Sequence, residues 1–144
     1  MVDVGEKATT ARLAQAEGYL YANAQVIEGA AAHSLQKGDV ITVAKVAGIQ
    51  AAKRCADLIP LCHTLPLSKI DIQIELQPDQ GRFQVRCECR TSGQTGVEME
   101  ALTGATVSLL TLYDMCKAVD KHMRIDHVEV VKKAGGKSGS WEKS

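Results

Sequence analysis

The sequence predicts an α+β domain of the ferredoxin-like βαββαβ type, an antiparallel sheet with two helices on one face. Two observations carry this prediction. Between residues 70 and 90, two strictly alternating runs are joined by Pro78-Asp79-Gln80-Gly81, the pattern of a β-hairpin. Stretches with helical character flank the hairpin, residues 40–58 before it and 95–123 after it. A strand outside each helix completes the order strand, helix, strand, strand, helix, strand.

Residues 1–18 are polar and Ala-rich, carry Lys7 and Arg12, and read as an N-terminal arm. The folded domain is expected over 19–133 and a tail over 134–144. Residues 19–28 alternate loosely and include Val26 and Ile27, which suggests the first strand. Asp39 follows a small, polar loop and suits an N-cap. Val40, Val43, Ala44, Ala47, Ala51, Cys55 and Leu58 then keep a helical spacing that Pro60 ends. In the hairpin, Ile70, Ile72, Ile74 and Leu76 face one way and Asp71, Gln73 and Glu75 the other. Phe83, Val85, Cys87 and Cys89 repeat the pattern on the second strand. Thr95-Gly96-Val97-Glu98 fits a capping box at the head of the long helix. Residues 125–131 supply the last strand, and the Gly-, Ser- and Lys-rich end reads as a tail.

With 144 residues, 45% of them hydrophobic, the chain is long enough for one domain with a true core. Aromatic residues are only 3%, so that core must be aliphatic and rich in alanine. Seventeen basic and seventeen acidic residues cancel, which argues against a nucleic-acid binder or a membrane surface that relies on a basic field. No run approaches the roughly 18 apolar residues of a membrane span. The five cysteines are an odd number, and the start of the chain lacks the apolar run of a signal peptide; a reducing cytoplasm is expected. Residues 101–113 contain no charge. A helix neutral on every side is buried on every side, and in so small a domain another subunit most simply provides that burial.

Several clusters admit both a structural and a chemical reading. Asp114, Lys117 and Lys121 are spaced to share one helical face. They form either an exposed ion pair, stabilising by about 0.3–0.5 kcal/mol, or a proton-transfer site at the rim of a buried element. Glu98 and Glu100 flank Met99 where the long helix begins; either Glu98 completes the capping box and Glu100 complements the positive helix end, or the two bind a ligand. His63, beside Cys62 in the loop after Pro60, is either a solvent-facing residue or a functional one. Lys37, Lys117, Lys121, Lys132 and Lys133 either solvate the surface or converge on a polyanion. Packing explains Cys87 and Cys89 better than metal binding, and no metal site is expected. Gly135-Gly136-Lys137-Ser138-Gly139 ends like a phosphate-binding loop, but Val131 stands where that motif needs its first glycine; the alternative left is a flexible, lysine-bearing tail that folds over an anion.

Longer motifs carry more. Lys37-Gly38-Asp39-Val40, Ala47-Gly48-Ile49-Gln50-Ala51-Ala52-Lys53-Arg54, Leu58-Ile59-Pro60-Leu61-Cys62-His63, Thr95-Gly96-Val97-Glu98-Met99-Glu100-Ala101-Leu102-Thr103 and Tyr113-Asp114-Met115-Cys116-Lys117-Ala118-Val119 are all present. Together with Met1-Val2-Asp3-Val4 and the Gly-Gly-Lys-Ser-Gly tail, they resemble the MoaC family of molybdenum cofactor biosynthesis, the cyclic pyranopterin monophosphate synthases. The resemblance spans essentially the whole chain. It departs at Thr64, where the family commonly has proline after Leu-Cys-His; here Pro66 follows two residues later.

The resemblance implies a ferredoxin-like catalytic domain assembled as a homohexamer, a trimer of dimers, with active sites at a subunit interface. The implied reaction is that of a lyase: 3′,8-cyclo-7,8-dihydroguanosine 5′-triphosphate becomes cyclic pyranopterin monophosphate with release of pyrophosphate. It implies Asp114 and Lys117 as catalytic residues, and Leu61, Cys62, His63, Met99, Glu100, Lys37, Lys133 and Arg12 as substrate-binding residues; Glu98 joins this set as the second carboxylate of its motif. No cofactor is implied, and a divalent cation accompanying the triphosphate is compatible but not indicated. The chemistry fits the residue types. Rebuilding a guanine-derived ring as a pterin needs an acid/base pair such as Asp114 and Lys117, and expelling pyrophosphate calls for cations such as Lys37, Lys133 and Arg12. Carboxylates at Glu98 and Glu100 suit a guanidine-like edge. The rival expectation is a regulatory oligomer that binds a small molecule without turning it over.

Overall fold

The computed structural model describes residues 1–137 and 139–143. Its elements run β1 (Thr10–Tyr21), α1 (Ala24–Ala31), α2 (Val40–Lys53), α3 (Cys55–Leu58), β2 (Leu67–Gln77), β3 (Arg82–Gly93), α4 (Glu98–Cys116), β4 (Arg124–Ala134) and β5 (Trp141–Glu142). The strands form one sheet in the order β2-β3-β1-β4-β5, and every neighbouring pair is antiparallel. Helices α2 and α4 pack on each other and on the same side of this sheet. The α+β, ferredoxin-like architecture is therefore the one expected, with α1 and α3 as short additions.

The first strand differs from its expected place. Residues 10–18, expected within the arm, belong to central strand β1, and residues 24–31 form α1. The buried positions of β1 are Ala14, Ala16, Gly18 and Leu20. Three of these four are so small that the alternation carries little hydrophobic contrast. They are small because α4 lies close above: a Cβ at Gly18 would stand 2.6 Å from Leu109 Cδ1. Val26 and Ile27, adjacent and both buried, belong to α1, whose first turn is capped by Asn23 Oδ1 accepting from Val26 N at 3.0 Å.

Small residues also bring the two long helices together. A Cβ at Gly48 would lie 2.1 Å from Ser108 Oγ and 2.8 Å from the Gly104 carbonyl oxygen. Ser108, fully buried, donates its hydroxyl to the Ala44 carbonyl at 3.0 Å. Pairing of 44 with 108 and 48 with 104 makes α2 and α4 antiparallel. Beneath them, Leu20, Phe83, Val85, Cys87 and Cys89 line the covered face of the sheet. The opposite face is polar: Arg86 pairs with Glu17, and Glu88 accepts from Gln15 Nε2 at 2.6 Å and Arg90 Nε at 3.0 Å.

Asp39 opens α2 as expected, accepting from Thr42 N at 3.1 Å and Thr42 Oγ1 at 2.6 Å. The expected helix over 40–58 breaks at Arg54, which leaves helical geometry at φ −110° and separates α2 from α3. The expected capping box is not formed: Val97 is the N-cap, and no side chain bonds there, because Glu98 turns back toward Lys133. The long helix also stops at Cys116 rather than near 123, so Lys121 lies beyond it and does not share a helical face with Asp114. Asp120 accounts for this ending. Its buried carboxylate accepts from Asn23 N and His122 N, each at 2.8 Å, and turns the chain toward β4. At the far end, Trp141 and Glu142 pair back onto Lys133 and Lys132, so part of the expected tail joins the sheet. Ser138 and Ser144 of that tail lie outside the described residues.

Residues 101–113 are not enclosed on every side within one chain. Leu110 is 53% exposed, and on α2 Val46 is 50% exposed. Among the described residues, no helix is long and apolar enough to cross a membrane.

Candidate active site

The expected site residues fall into two groups at opposite ends of α4. At 1.5 Å per residue, the helix holds Glu98 and Asp114 about 24 Å apart.

The first group gathers at the C-terminal end. Asp114 Oδ1 lies 3.0 Å from Lys117 Nζ, one turn later, and Oδ2 lies 3.6 Å from Lys37 Nζ. Lys37 also donates to the Asp114 backbone carbonyl at 3.2 Å. The turn before α2, with Gly38 at φ 92°, delivers Lys37 to this place. Here Lys37 caps one of the carbonyls that a helix end leaves unsatisfied and complements the negative end of the dipole. The hydrogen bond from Lys117, reinforced by the charge of Lys37, holds the Asp114 carboxyl below its ordinary value. All three side chains face solvent in the single chain.

The second group surrounds the start of α4. Glu98 and Lys133 form an ion pair, with Oε1 and Nζ 2.9 Å apart. That oxygen is buried yet accepts no aligned hydrogen bond among the described residues. The proximity is therefore electrostatic rather than a well-formed hydrogen bond. Glu100 is 4% exposed, and burial, with the nearby charge of Glu98, pushes its carboxyl above the ordinary range. Cys55 lies close by, sharing a 3.4 Å contact with Thr103 Oγ1. Burial pushes the Cys55 thiol up to about 11, as it does the Cys116 thiol. The contact with Cys87, together with burial, raises Cys89 strongly. Thiols kept protonated in this way are poor nucleophiles and fill space. All five cysteines are free.

Arg12, Cys62 and His63 border this second group. Arg12 donates to the Gly93 carbonyl at 2.9 Å and the Gln94 carbonyl at 3.3 Å. Gly136, at φ 79°, passes directly over its guanidinium, where a Cβ would stand 2.3 Å from Nη1. A cleft of about 500 Å³ opens between the arm and this turn, bordered by Asp3, Glu6, Lys7, Arg12 and Lys137. His63 Nε2 lies 2.6 Å from the Val2 carbonyl oxygen. A carbonyl can only accept, so Nε2 carries the proton in this contact. Cys62 is half-buried, while Leu61 and Met99 are exposed.

Sequence reasoning missed two contributors, while a third, Lys137, comes from the lysine-bearing Gly-Gly-Lys tail that it singled out. Gln94 Nε2 donates to the carbonyls of Gly5 and Lys7, fastening the arm beside Arg12. Gly96 makes room for the Glu98 carboxylate. Lys137 faces the cleft near Arg12. The first two lie in or next to the Thr-Gly-Val-Glu motif, but nothing in their residue types announces these contacts. Among the described residues, no group of three or more His, Cys, Asp or Glu side chains is placed to hold a metal ion.

The two groups differ in chemistry. One offers a carboxylate between two ammonium groups; the other offers paired carboxylates, a histidine and guanidinium and ammonium cations. A protein-family model described as the MoaC family matches residues 1–136 of the 144-residue chain. The match contains both groups and every expected site residue. The chain thus belongs to the MoaC family, and its role as an enzyme lies in molybdenum cofactor biosynthesis.

Proposed function

We propose that the chain is a cyclic pyranopterin monophosphate synthase. It converts 3′,8-cyclo-7,8-dihydroguanosine 5′-triphosphate into cyclic pyranopterin monophosphate and releases pyrophosphate. The observation that carries this reading is the Asp114 carboxylate held between Lys117 at 3.0 Å and Lys37 at 3.6 Å. Asp114, ionised between two ammonium groups, orients both, and Lys117 gives a proton to a ring nitrogen or leaving oxygen and, as the amine so formed, takes one back from a ring N–H or hydroxyl. The cyclic phosphate forms when a sugar hydroxyl attacks the α-phosphorus and pyrophosphate leaves. Lys133, Arg12 and His63 are the groups offered to the charge that develops on the phosphate oxygens. Glu98 and Glu100 are offered to the guanidine-like edge of the base.

One chain cannot bring a single small substrate to both groups across about 24 Å of helix. The proposal therefore includes a second copy, whose α4 N-terminal end meets the Asp114 end of the first, within a homohexamer that works in the cytoplasm. The exposed apolar residues Val43, Val46 and Leu110 on the two long helices support such an association. The test is turnover of the purified substrate, followed by phosphate-release coupling for pyrophosphate and chromatography for the pterin. Pyrophosphate release by the wild type, absent in Lys117→Ala and Asp114→Ala, is expected. Wild-type turnover retained in both variants would sink the assignment.

A further inference from the structure

At the turn into α4, the absence of a side chain decides where a carboxylate goes. A Cβ at Gly96 would stand 2.4 Å from both carboxylate oxygens of Glu98 and 2.8 Å from its Cδ. Glu98 is folded back over the glycine, and in this pose Oε1 is buried beside Lys133 Nζ at 2.9 Å. The backbone at residue 96 makes no demand of its own for glycine, since it is not among the residues of positive φ. The close atoms are the far end of a flexible side chain rather than main chain. The three nearest atoms all belong to Glu98, so a methyl group there displaces its carboxylate first.

This placement bears on recognition. With Oε1 buried against Lys133, the open oxygen of Glu98, Oε2, is the one that accepts from the exocyclic N–H of a guanidine-like edge, and it does so only from a fixed position. Lys133 on β4 and the gap above Gly96 fix that position from two sides. Glu98 is the member of the carboxylate pair that leaves part of its side chain at the surface, whereas Glu100 is almost fully enclosed.

We infer that Gly96 is a specificity-determining positioning residue: by leaving space for the Glu98 carboxylate, it holds the acceptor that selects a guanine-type edge over one lacking the exocyclic amino group. The inference rests on the role of Glu98 given under the proposed function.

GTP and ITP differ by that amino group alone and serve as probes. Calorimetric binding to the full-length assembly, with thermal unfolding in parallel, is expected to show wild type preferring GTP by about tenfold to a hundredfold, the usual cost of losing a charge-assisted hydrogen bond. Gly96→Ala retains its folded state and its affinity for ITP but loses the preference, as does Glu98→Gln, which keeps the glycine. Wild type that binds both nucleotides alike, or neither, would overturn the recognition role of Glu98 and the inference with it. Wild type that prefers GTP while Gly96→Ala keeps the same preference would overturn the inference alone. An unfolded Gly96→Ala would also overturn it, because the atoms nearest the added methyl belong to a carboxylate free to move.

Discussion

Lys37 and Asp114 meet through two contacts of different kinds: the ammonium donates to the Asp114 carbonyl oxygen at 3.2 Å and pairs with its carboxylate at 3.6 Å. The first contact belongs to the end of α4 and the second to the side chain. Lys37 thus holds the helix end where Asp114 stands and, behind the hydrogen bond from Lys117, adds to the charge that keeps its carboxylate ionised.

Removing either partner should affect chemistry far more than stability. Lys37→Ala and Asp114→Asn are each expected to lower pyrophosphate release about 10²- to 10⁴-fold, the range for loss of a proton-transfer group. Exposed ion pairs contribute little to folding, so melting temperatures should barely change. A collapse of the fold in Asp114→Asn, seen by circular dichroism, would contradict this assignment.

A site shared between copies can be tested by mixing. Asp114→Asn and Glu100→Gln are each expected to be inactive alone. After the two are unfolded and refolded together, random assembly should leave about a quarter of the sites with both native residues. Recovery of activity toward that level supports a site that takes Asp114 from one copy and Glu100 from another. No recovery at equal mixing would place both residues in one copy's site.

Glu100 should also show a cost of burial. Its folded-state pKa is raised, chiefly by desolvation. The folded protein therefore holds its proton more tightly than the unfolded chain, and stability falls as pH rises between the two values. The groups that face it, Glu98, Cys55 and Cys89, supply no positive charge to offset ionisation. Glu100→Gln is expected to raise the melting temperature by about 2–4 °C at neutral pH, with the gain vanishing below the ordinary carboxylate range. Differential scanning calorimetry across pH reads both.

Glu88 on the open face of the sheet should behave in the opposite sense. Burial pushes its carboxyl up, but donors from Gln15, Lys69 and Arg90 outweigh that and leave it below the ordinary value. The stability it provides is present above the unfolded carboxylate pKa and is lost as pH falls through the folded value. Glu88→Gln is expected to destabilise by about 1–3 kcal/mol near neutrality and to flatten the acid limb. Urea unfolding at about pH 7 and about pH 3 separates the two effects.

Enlarging the contact between the long helices should be costly. Gly48→Ala places a methyl against Ser108, Ile72 and the Gly104 carbonyl, the last of which is main chain. Overpacking of this kind costs about 1–3 kcal/mol. Chemical denaturation should show a lowered midpoint; an unchanged one would mean that α2 and α4 can separate freely.

Legibility in the sequence followed the range of each interaction. Asp39 and the hairpin over 70–90 were readable because their determinants lie within a few residues. β1 escaped notice because Ala14, Ala16 and Gly18 bury almost no side chain, so their alternation barely registers as hydrophobic. Arg54 and Asp120 end helices through geometry and distant bonds that propensity does not report; the Asn23 partner of Asp120 lies 97 residues away. At the candidate site, the spacing of Asp114 and Lys117 was local and legible. Lys37, 77 residues from Asp114, was tied to it only by resemblance to a family. The contact between His63 and Val2 had no signal, since the acceptor is a backbone carbonyl.

The seam of small residues between β1, α2 and α4 also limits what a mutational survey can see. An alanine scan leaves Ala14, Ala16, Ala44, Ala52, Ala101 and Ala105 untouched, although each is buried at the centre of the molecule. Truncation would find its large effects at Phe83, Leu20 and Leu109 and would record the seam as silent. A scan to valine would reverse that map and reveal a core defined by how closely its backbones approach.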